Sequence, residues 1–223
     1  MGNAVEAQIE KAERCWLEKW TSGPRRTRWT TMPPQVGDMA PSFDLADQAG
    51  RVAPMSSFWE RQPAVFLFWR QFGCGCGLDR ARRLKQEYDE FADLGAAVVI
   101  IGQGEPERAA AYAAKYALPP VRILSDVDGR AYEAYGLLEG QPSQLLFDAP
   151  PAWLNHDQET GMGFARERRA QGRPPVDNPW LLPGEFVIDT AGRIGLAYRY
   201  NYCEDFPDPR VLYAALRGAG RRS

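Results

Sequence analysis

The chain has 223 residues, of which 44% are hydrophobic and 25% are charged, and its formal net charge is −2. This length suits one domain with additions, and this balance is typical of a globular protein rather than a disordered one. The longest apolar runs, at residues 64–69 and 96–102, are far shorter than the roughly 20 residues that a membrane span needs. Because the net charge is slightly negative and the arginines are interleaved with acids, we expect no nucleic acid or membrane as a partner.

The N-terminal residues include glutamates where a secretory signal would have basic residues and an unbroken apolar stretch, so we expect a cytoplasmic location. Four unevenly placed cysteines are too few for a disulfide scaffold. Two of them, Cys74 and Cys76, are separated by one residue and need a chemical explanation. The single histidine, His156, cannot supply a multi-histidine metal site.

Residues 4–20 carry apolar side chains at helical spacing and predict an amphipathic helix. Two of these side chains, Trp16 and Trp20, must pack either on the same chain or on a second copy, which would make a homodimer through this helix. Residues 23–34 read as a basic, proline-punctuated linker. We therefore expect an N-terminal helix and linker at residues 1–33 ahead of a domain at residues 34–223.

From residue 37 onward, short β-rich runs alternate with longer amphipathic segments, which is typical of an α/β fold. Strands are predicted at residues 43–46, 51–53, 64–69, 96–101, 122–124, 185–189 and 194–200. Helices are predicted at residues 78–94, 105–116, 129–135 and 208–217. Residues 138–182 are rich in proline and glycine and predict a long insertion with little regular structure.

The segment Cys74-Gly75-Cys76 lies between a buried strand and a helix. A helix N-terminus stabilises a thiolate through its unpaired N–H groups and the positive end of its dipole, and Arg70, Arg80 and Arg82 add positive charge nearby. A disulfide across one glycine is strained and easily reduced, which suits redox exchange better than a structural staple. The alternative is a pair of ordinary small residues in a turn. The pattern favours a redox-active thiol centre that needs no cofactor.

Three segments resemble a known family: residues 41–45 (Pro-Ser-Phe-Asp-Leu), 68–74 (Phe-Trp-Arg-Gln-Phe-Gly-Cys) and 183–189 (Pro-Gly-Glu-Phe-Val-Ile-Asp). They are similar to the alkyl hydroperoxide reductase/thiol-specific antioxidant (AhpC/TSA) family, above all to its peroxiredoxin-like branch, over about residues 34–216. The resemblance implies a thioredoxin-like fold with a central mixed β-sheet flanked by helices. Here that fold would carry an N-terminal helical extension and an insertion at about residues 138–182 before the C-terminal hairpin. The resemblance also implies that Pro183 is a cis-proline facing the active-site turn.

The chain departs from the family pattern at two positions that hold the peroxide in typical peroxiredoxins. Their threonine or serine lies three residues before the cysteine, where this chain has Gln71 before Cys74 and Gly73 before Cys76. Their distant arginine aligns with Pro183, and Arg70 could compensate in part. The branch more often has Cys-x-x-Cys, so the spacing leaves open whether Cys74 or Cys76 attacks.

Other residues allow two interpretations each. Cys203, after the last strand, is either a resolving thiol or a buried cysteine, and Cys15 is expected to contribute packing. Cys74, Cys76 and Cys203 could instead bind zinc or copper(I), although a fourth ligand is not evident. The insertion forms either a lid for an anionic or peptide-like thiol substrate or a solvated loop packed by its own aromatics; the residues concerned are Trp153, Phe164, Arg166, Arg168, Arg169, Arg173 and Trp180.

These observations support three functional hypotheses. The first is a thiol-disulfide oxidoreductase acting on small-thiol or protein disulfides, with Cys74, Cys76, Arg70, Pro183 and Cys203 as its site. The second is a peroxiredoxin-like peroxide reductase, in which Cys76 or Cys203 resolves a sulfenic acid. The third is a non-catalytic protein that binds a metal or a partner chain.

Overall fold

The computed structural model describes residues 2–72, 75–146 and 149–220. Within these ranges, seven strands form one mixed sheet: β1 (Asp44–Asp47), β2 (Val52–Pro54), β3 (Ala64–Phe68), β4 (Ala97–Gly102), β5 (Arg122–Ser125), β6 (Gly184–Ile188) and β7 (Ile194–Arg199). The helices over the same ranges are α1 (Gly2–Ser22), α2 (Gly75–Asp93), α3 (Pro106–Lys115), α4 (Arg130–Ala134), α5 (Pro142–Leu145), α6 (Ala152–Asn155), α7 (Gln158–Ala170) and α8 (Pro209–Ala219). A short 3-10 turn at Met55–Phe58 follows β2.

The strands are ordered β2-β1-β5-β4-β3-β6-β7. Central β3 pairs in parallel with β4 and antiparallel with β6. Phe68, the last residue of β3, is opposite both Ile101 and Gly184, so the start of β6 lies beside the end of β3. The topology therefore brings Pro183 next to the turn that leads into α2.

The sheet is covered on both faces, because alternate residues of its central strands enter two separate hydrophobic cores. Phe66 and Phe68 face one core, with Tyr132 of α4, whereas Val65 and Leu67 face the other, with side chains of α2 and α8. Burial of a large apolar side chain stabilises the fold by about 1.5–3 kcal/mol. The continuous apolar runs of β3 and β4 are explained by this burial on both sides.

The N-terminal helix packs on the insertion of the same chain. Trp16 and Trp20 of α1 are buried against Trp180 and Leu145, and the Trp20 ring centroid lies 5.3 Å from that of Trp180. The apolar face that suggested a homodimer is thus covered within the chain. The division of the chain between residues 33 and 34 stays a prediction.

The α/β thioredoxin-like fold class is confirmed, but the prediction of little regular structure at residues 138–182 is wrong. This insertion contains α5, α6 and the 13-residue α7. The side chain of Asp157 caps α7 by accepting a hydrogen bond from Thr160 N at 2.7 Å. None of the helices in the described ranges is long and apolar enough to span a bilayer.

Candidate active site

The residues that directly follow β3 are held by contacts with β4 and α4. Trp69 N donates to Ile101 O at 2.9 Å, and the buried Tyr132 hydroxyl donates to the carbonyls of Trp69 and Ile101. Phe72 packs against Gly102, where an added Cβ would lie 2.4 Å from the ring. Cys74, the first candidate nucleophile, lies outside the described residues, and its neighbour Gly75 is the first residue of α2.

Four of the five predicted site residues line one small cleft at the start of α2. These are Arg70, Cys76, Pro183 and Cys203, and the cleft is also lined by Arg80, Glu185 and Tyr200. We call this space the cysteine cleft. Cys76 is buried in the first turn of α2, and Cys203 is buried beyond β7.

Cys203 is hydrogen-bonded to the insertion. Its N–H donates to Gln144 O at 2.8 Å and its thiol donates to Leu145 O at 2.9 Å, so α5 holds it in the cysteine cleft. Cys15, in contrast, is exposed on α1. The expectation that Cys15 contributes packing is therefore wrong, because it lies beside the buried helix face rather than on it.

Pro183 is at the predicted place, but the prediction that it is cis is wrong. The peptide bonds of the described residues are all trans. In the trans form, Leu182 N donates to Leu138 O at 2.9 Å and Pro183 O accepts from Tyr200 N at 3.1 Å. Since X–Pro bonds favour trans by about 0.5–1 kcal/mol and these backbone groups are already satisfied, nothing at this position requires the cis form.

Arg80 lies beside the cysteines, as expected, but its charge is paired with two buried glutamates. Its guanidinium is buried between Glu185, with Nε 2.6 Å from Oε1, and Glu87, with Nη1 2.8 Å from Oε2. Burial raises the pKa of Glu87, and the Arg80 charge only partly opposes that rise. Glu185 also accepts a hydrogen bond from the Tyr200 hydroxyl, and the pKa of Tyr200 is raised, first by burial and then by Glu185. Arg82 is exposed and pairs with Asp79 at 2.7 Å.

Arg70 remains a cation of the site. It is buried, and its Nη2 donates to the neutral carbonyl of Pro179, while its own carbonyl accepts from the side chain of Gln103. Gln103 also accepts from Asn178 N at 3.1 Å. Arginine stays protonated even when it is buried, so Arg70 contributes a positive charge to this part of the structure.

Residues 173–179, which we call the return segment, bring the insertion back to the active-site turn. Val176 N lies 3.4 Å from Oε1 of Gln71, and Arg108 binds Asp177 through two hydrogen bonds of 2.7 and 3.0 Å. At its start, a methyl group placed on Gly75 would lie 3.5 Å from Nη2 of Arg173. The insertion thus forms one wall of the site.

The arginines and the aromatic residues of the insertion make different contacts. Arg169 pairs with Glu6 and Glu13 of α1, away from the active-site turn. Trp153 and Phe164 pack on Trp20, with ring centroids at 5.2 and 6.1 Å. A larger pocket between α1 and the insertion reaches from these aromatics to Arg70, Gly75 and Arg168. Neither a detached lid nor a loop packed only on itself describes this arrangement.

A metal site is not evident in residues 2–72, 75–146 and 149–220, where no group of three or more His, Cys, Asp or Glu side chains is placed to hold an ion. Sequence reasoning missed Gln103, Glu185 and the position of Arg173. Glu185 carried a usable signal, because a carboxylate in the middle of a buried strand needs a buried cationic partner.

The mixed sheet and its flanking helices define a thioredoxin-like fold. The buried arginine and the two cysteines of the cysteine cleft mark the candidate thiol site of this fold. Residues 36–197 match the model of the AhpC/TSA family, and the chain belongs to this family.

Individual relatives carry peroxiredoxin names. The chain is 30% identical over 105 residues to peroxiredoxin Bcp of Escherichia coli (strain K12), covering 47% of this chain and 66% of that protein. It is 32% identical over 114 residues to chloroplastic peroxiredoxin Q of Populus jackii, covering 51% of each chain. The matched part is therefore less than two thirds of the length of these relatives. In fold, peroxidoxin BcpB from Mycobacterium tuberculosis is similar, with a TM-score of 0.58, 20% identity and coverage of 83% of this chain and 97% of that one.

Proposed function

We propose that this chain is a cysteine-dependent peroxide reductase in which the thiolate of Cys74 attacks the peroxide. The observation that carries the proposal is the AhpC/TSA match over residues 36–197, within which Cys74 immediately precedes the first residue of α2. A side chain directly before a helix can accept hydrogen bonds from the first-turn N–H groups, and a thiolate there is stabilised by the helix dipole. Burial of Cys76 disfavours it as the group that a peroxide reaches first.

The atoms and electrons of the proposed reaction balance with a peroxide and thiols as the only reactants. The Cys74 sulfur forms a bond to one peroxide oxygen, the O–O bond breaks, and the other oxygen leaves as an alkoxide or hydroxide that takes up a proton. The sulfenic acid then condenses with a second thiol, which forms a disulfide and releases water. Cys76 and Cys203 are the candidates for that thiol, because both line the cysteine cleft. An external thiol reductant then restores the dithiol by exchange.

Thiol-disulfide exchange, the first hypothesis from the sequence, is the second candidate. The Cys-Gly-Cys spacing favours it, as do Gln71 and Pro183 at the positions where typical peroxiredoxins hold the peroxide. The family and its relatives favour peroxide reduction instead. We retain the cytoplasm as the proposed location, although several relatives bear the names of chloroplastic proteins.

Rapid mixing distinguishes these functions. Reduced wild-type protein is mixed with hydrogen peroxide and, separately, with a small disulfide, and the loss of thiols is followed. We expect a fast peroxide reaction that Cys74→Ser abolishes and that the control substitution Cys15→Ser leaves unchanged. Of Cys76→Ser and Cys203→Ser, the variant that no longer forms an intramolecular disulfide identifies the resolving thiol.

Two outcomes would contradict the proposal. A fast reaction with the disulfide and a slow one with peroxide would establish the exchange function. Inertness toward both would instead favour a non-catalytic metal- or partner-binding role.

A further inference from the structure

The end of α7 fixes where the return segment begins. Gly172 has a φ of +64°, its N–H donates to Arg169 O at 2.9 Å, and the N–H of Arg173 donates to Arg168 O at 2.9 Å. This pair of bonds is the Schellman motif, in which a glycine in the left-handed region ends a helix. Because Pro174 and Pro175 follow directly, the backbone at Arg173 has little freedom.

The Arg173 side chain extends from this fixed backbone to the start of α2. Its Nη2 would lie 3.5 Å from a Cβ on Gly75, and Gly75 is bonded in the chain to Cys74. Arg173 is half-buried and lines a pocket together with Phe72, the last residue described before Cys74. The guanidinium is thus held close to the active-site turn by a segment that follows Gly75 by 98 residues (173 − 75) in the chain.

The other arginines near this turn have different partners or positions. Arg80 is neutralised by Glu87 and Glu185, and Arg82 is exposed beside Asp79. Arg70 is turned toward Pro179 of the return segment. Of these arginines, Arg173 is the one whose Nη2 would lie within 4 Å of a Cβ on Gly75, the first residue of α2.

We propose that Arg173 is a catalytic residue that binds the peroxide and stabilises its leaving oxygen when Cys74 attacks. This inference rests on the proposed function, since it concerns the same peroxide step. As the S–O bond forms and the O–O bond breaks, negative charge develops on the leaving oxygen, and a preorganised guanidinium lowers the energy of that charge. Typical peroxiredoxins have an arginine where this chain has Pro183. Here Arg173, which lies in the insertion and outside the sheet, would take the place of that arginine.

The test compares Arg173→Gln with Arg173→Lys and with the control Arg166→Gln, which changes an exposed arginine of α7. Two rates are measured at a pH high enough to ionise the thiol fully: reaction with hydrogen peroxide and alkylation by iodoacetamide. Alkylation reports the presence and accessibility of the thiolate but has no peroxide oxygen to stabilise. Circular dichroism and a urea titration check that each variant is folded.

We expect Arg173→Gln to lower the peroxide rate by about 100-fold or more and to leave alkylation nearly unchanged. Arg173→Lys should recover part of the peroxide rate, because it keeps the charge but loses the planar fork. Arg166→Gln should match the wild type in both reactions.

A peroxide rate of Arg173→Gln equal to that of wild type would overturn this inference and leave the proposed function intact. A parallel loss of peroxide reaction and alkylation would also overturn it, because Arg173 would then act only on the thiol or on the fold. A wild-type protein that reacts with peroxide no faster than a free thiol would contradict the proposed function and, with it, the role of Arg173.

Discussion

At the residue scale, the buried charge of Arg80 joins helix and sheet at the cysteine cleft. It connects α2 to β6 through Glu185 and to its own helix through Glu87. Breaking a buried pair by removal of one partner costs about 3–5 kcal/mol, because the other charge remains buried and uncompensated. These ion pairs therefore stabilise the packing of α2, the helix whose first turn contains Cys76, on β6.

We predict that Arg80→Met destabilises the protein by about 3–5 kcal/mol at pH 7 and by less at pH 5. Without Arg80, the folded-state pKa of Glu87, already raised by burial, rises further above its unfolded value. A raised carboxyl pKa costs stability at high pH, and the cost disappears as pH falls through the folded pKa. Urea unfolding at the two pH values measures the difference.

Arg82→Met provides the matched control, since Arg82 pairs with Asp79 on the exposed side of the same helix. Its removal should cost less than about 1 kcal/mol at either pH. Equal losses for the two variants, or a loss for Arg80→Met that grows on acidification, would disprove the described role of the Arg80 ion pairs.

At the scale of elements, α1 packs against α7 at Gly161, a residue without a side chain. A Cβ on Gly161 would lie 2.6 Å from Cδ1 of Trp20 and 2.8 Å from Cδ1 of Leu17. Two residues further along α7, a Cβ on Gly163 would meet nothing closer than Arg166 Nη2 at 4.0 Å. Both glycines lie on α7, but only Gly161 lies close to side chains of α1.

We predict opposite effects from the two alanine substitutions. Gly163→Ala should stabilise the protein by about 0.5–1 kcal/mol, because alanine favours the helix. Gly161→Ala gains the same propensity but forces the helices apart, at a cost of about 1–3 kcal/mol, and should be destabilising overall. Urea unfolding followed by tryptophan fluorescence measures both, and stabilisation by Gly161→Ala would show that the two helices do not pack as described.

At the scale of the whole molecule, the sheet and its flanking helices were predictable because each element has a strong local signal. β3 and β4 are continuous apolar runs between turn residues, and α2 repeats apolar residues at helical spacing. The order of elements then favoured an α/β fold. The position of Cys74 before a helix followed from the same local patterns.

The contacts that complete the site could not be predicted in this way, because their partners are far apart in sequence. Arg80 and Glu185 are separated by 105 residues, and nothing in the local pattern pairs them. In α7 the helical signal of the Asp157 cap was obscured by Gly161 and Gly163, which have low helix propensity. The family resemblance misled at Pro183, where backbone hydrogen bonds are satisfied by a trans peptide.

The attack of Cys74 on peroxide is tested most directly by locating the oxidised sulfur. The Cys76→Ser/Cys203→Ser double variant cannot resolve a sulfenic acid on Cys74 within one chain, so the intermediate should persist. The reduced variant is treated with one equivalent of hydrogen peroxide and dimedone, and the adduct is located by mass spectrometry. We predict the adduct on Cys74 and not on Cys15; an adduct on Cys15 instead, or none, would contradict Cys74 as the peroxidatic residue.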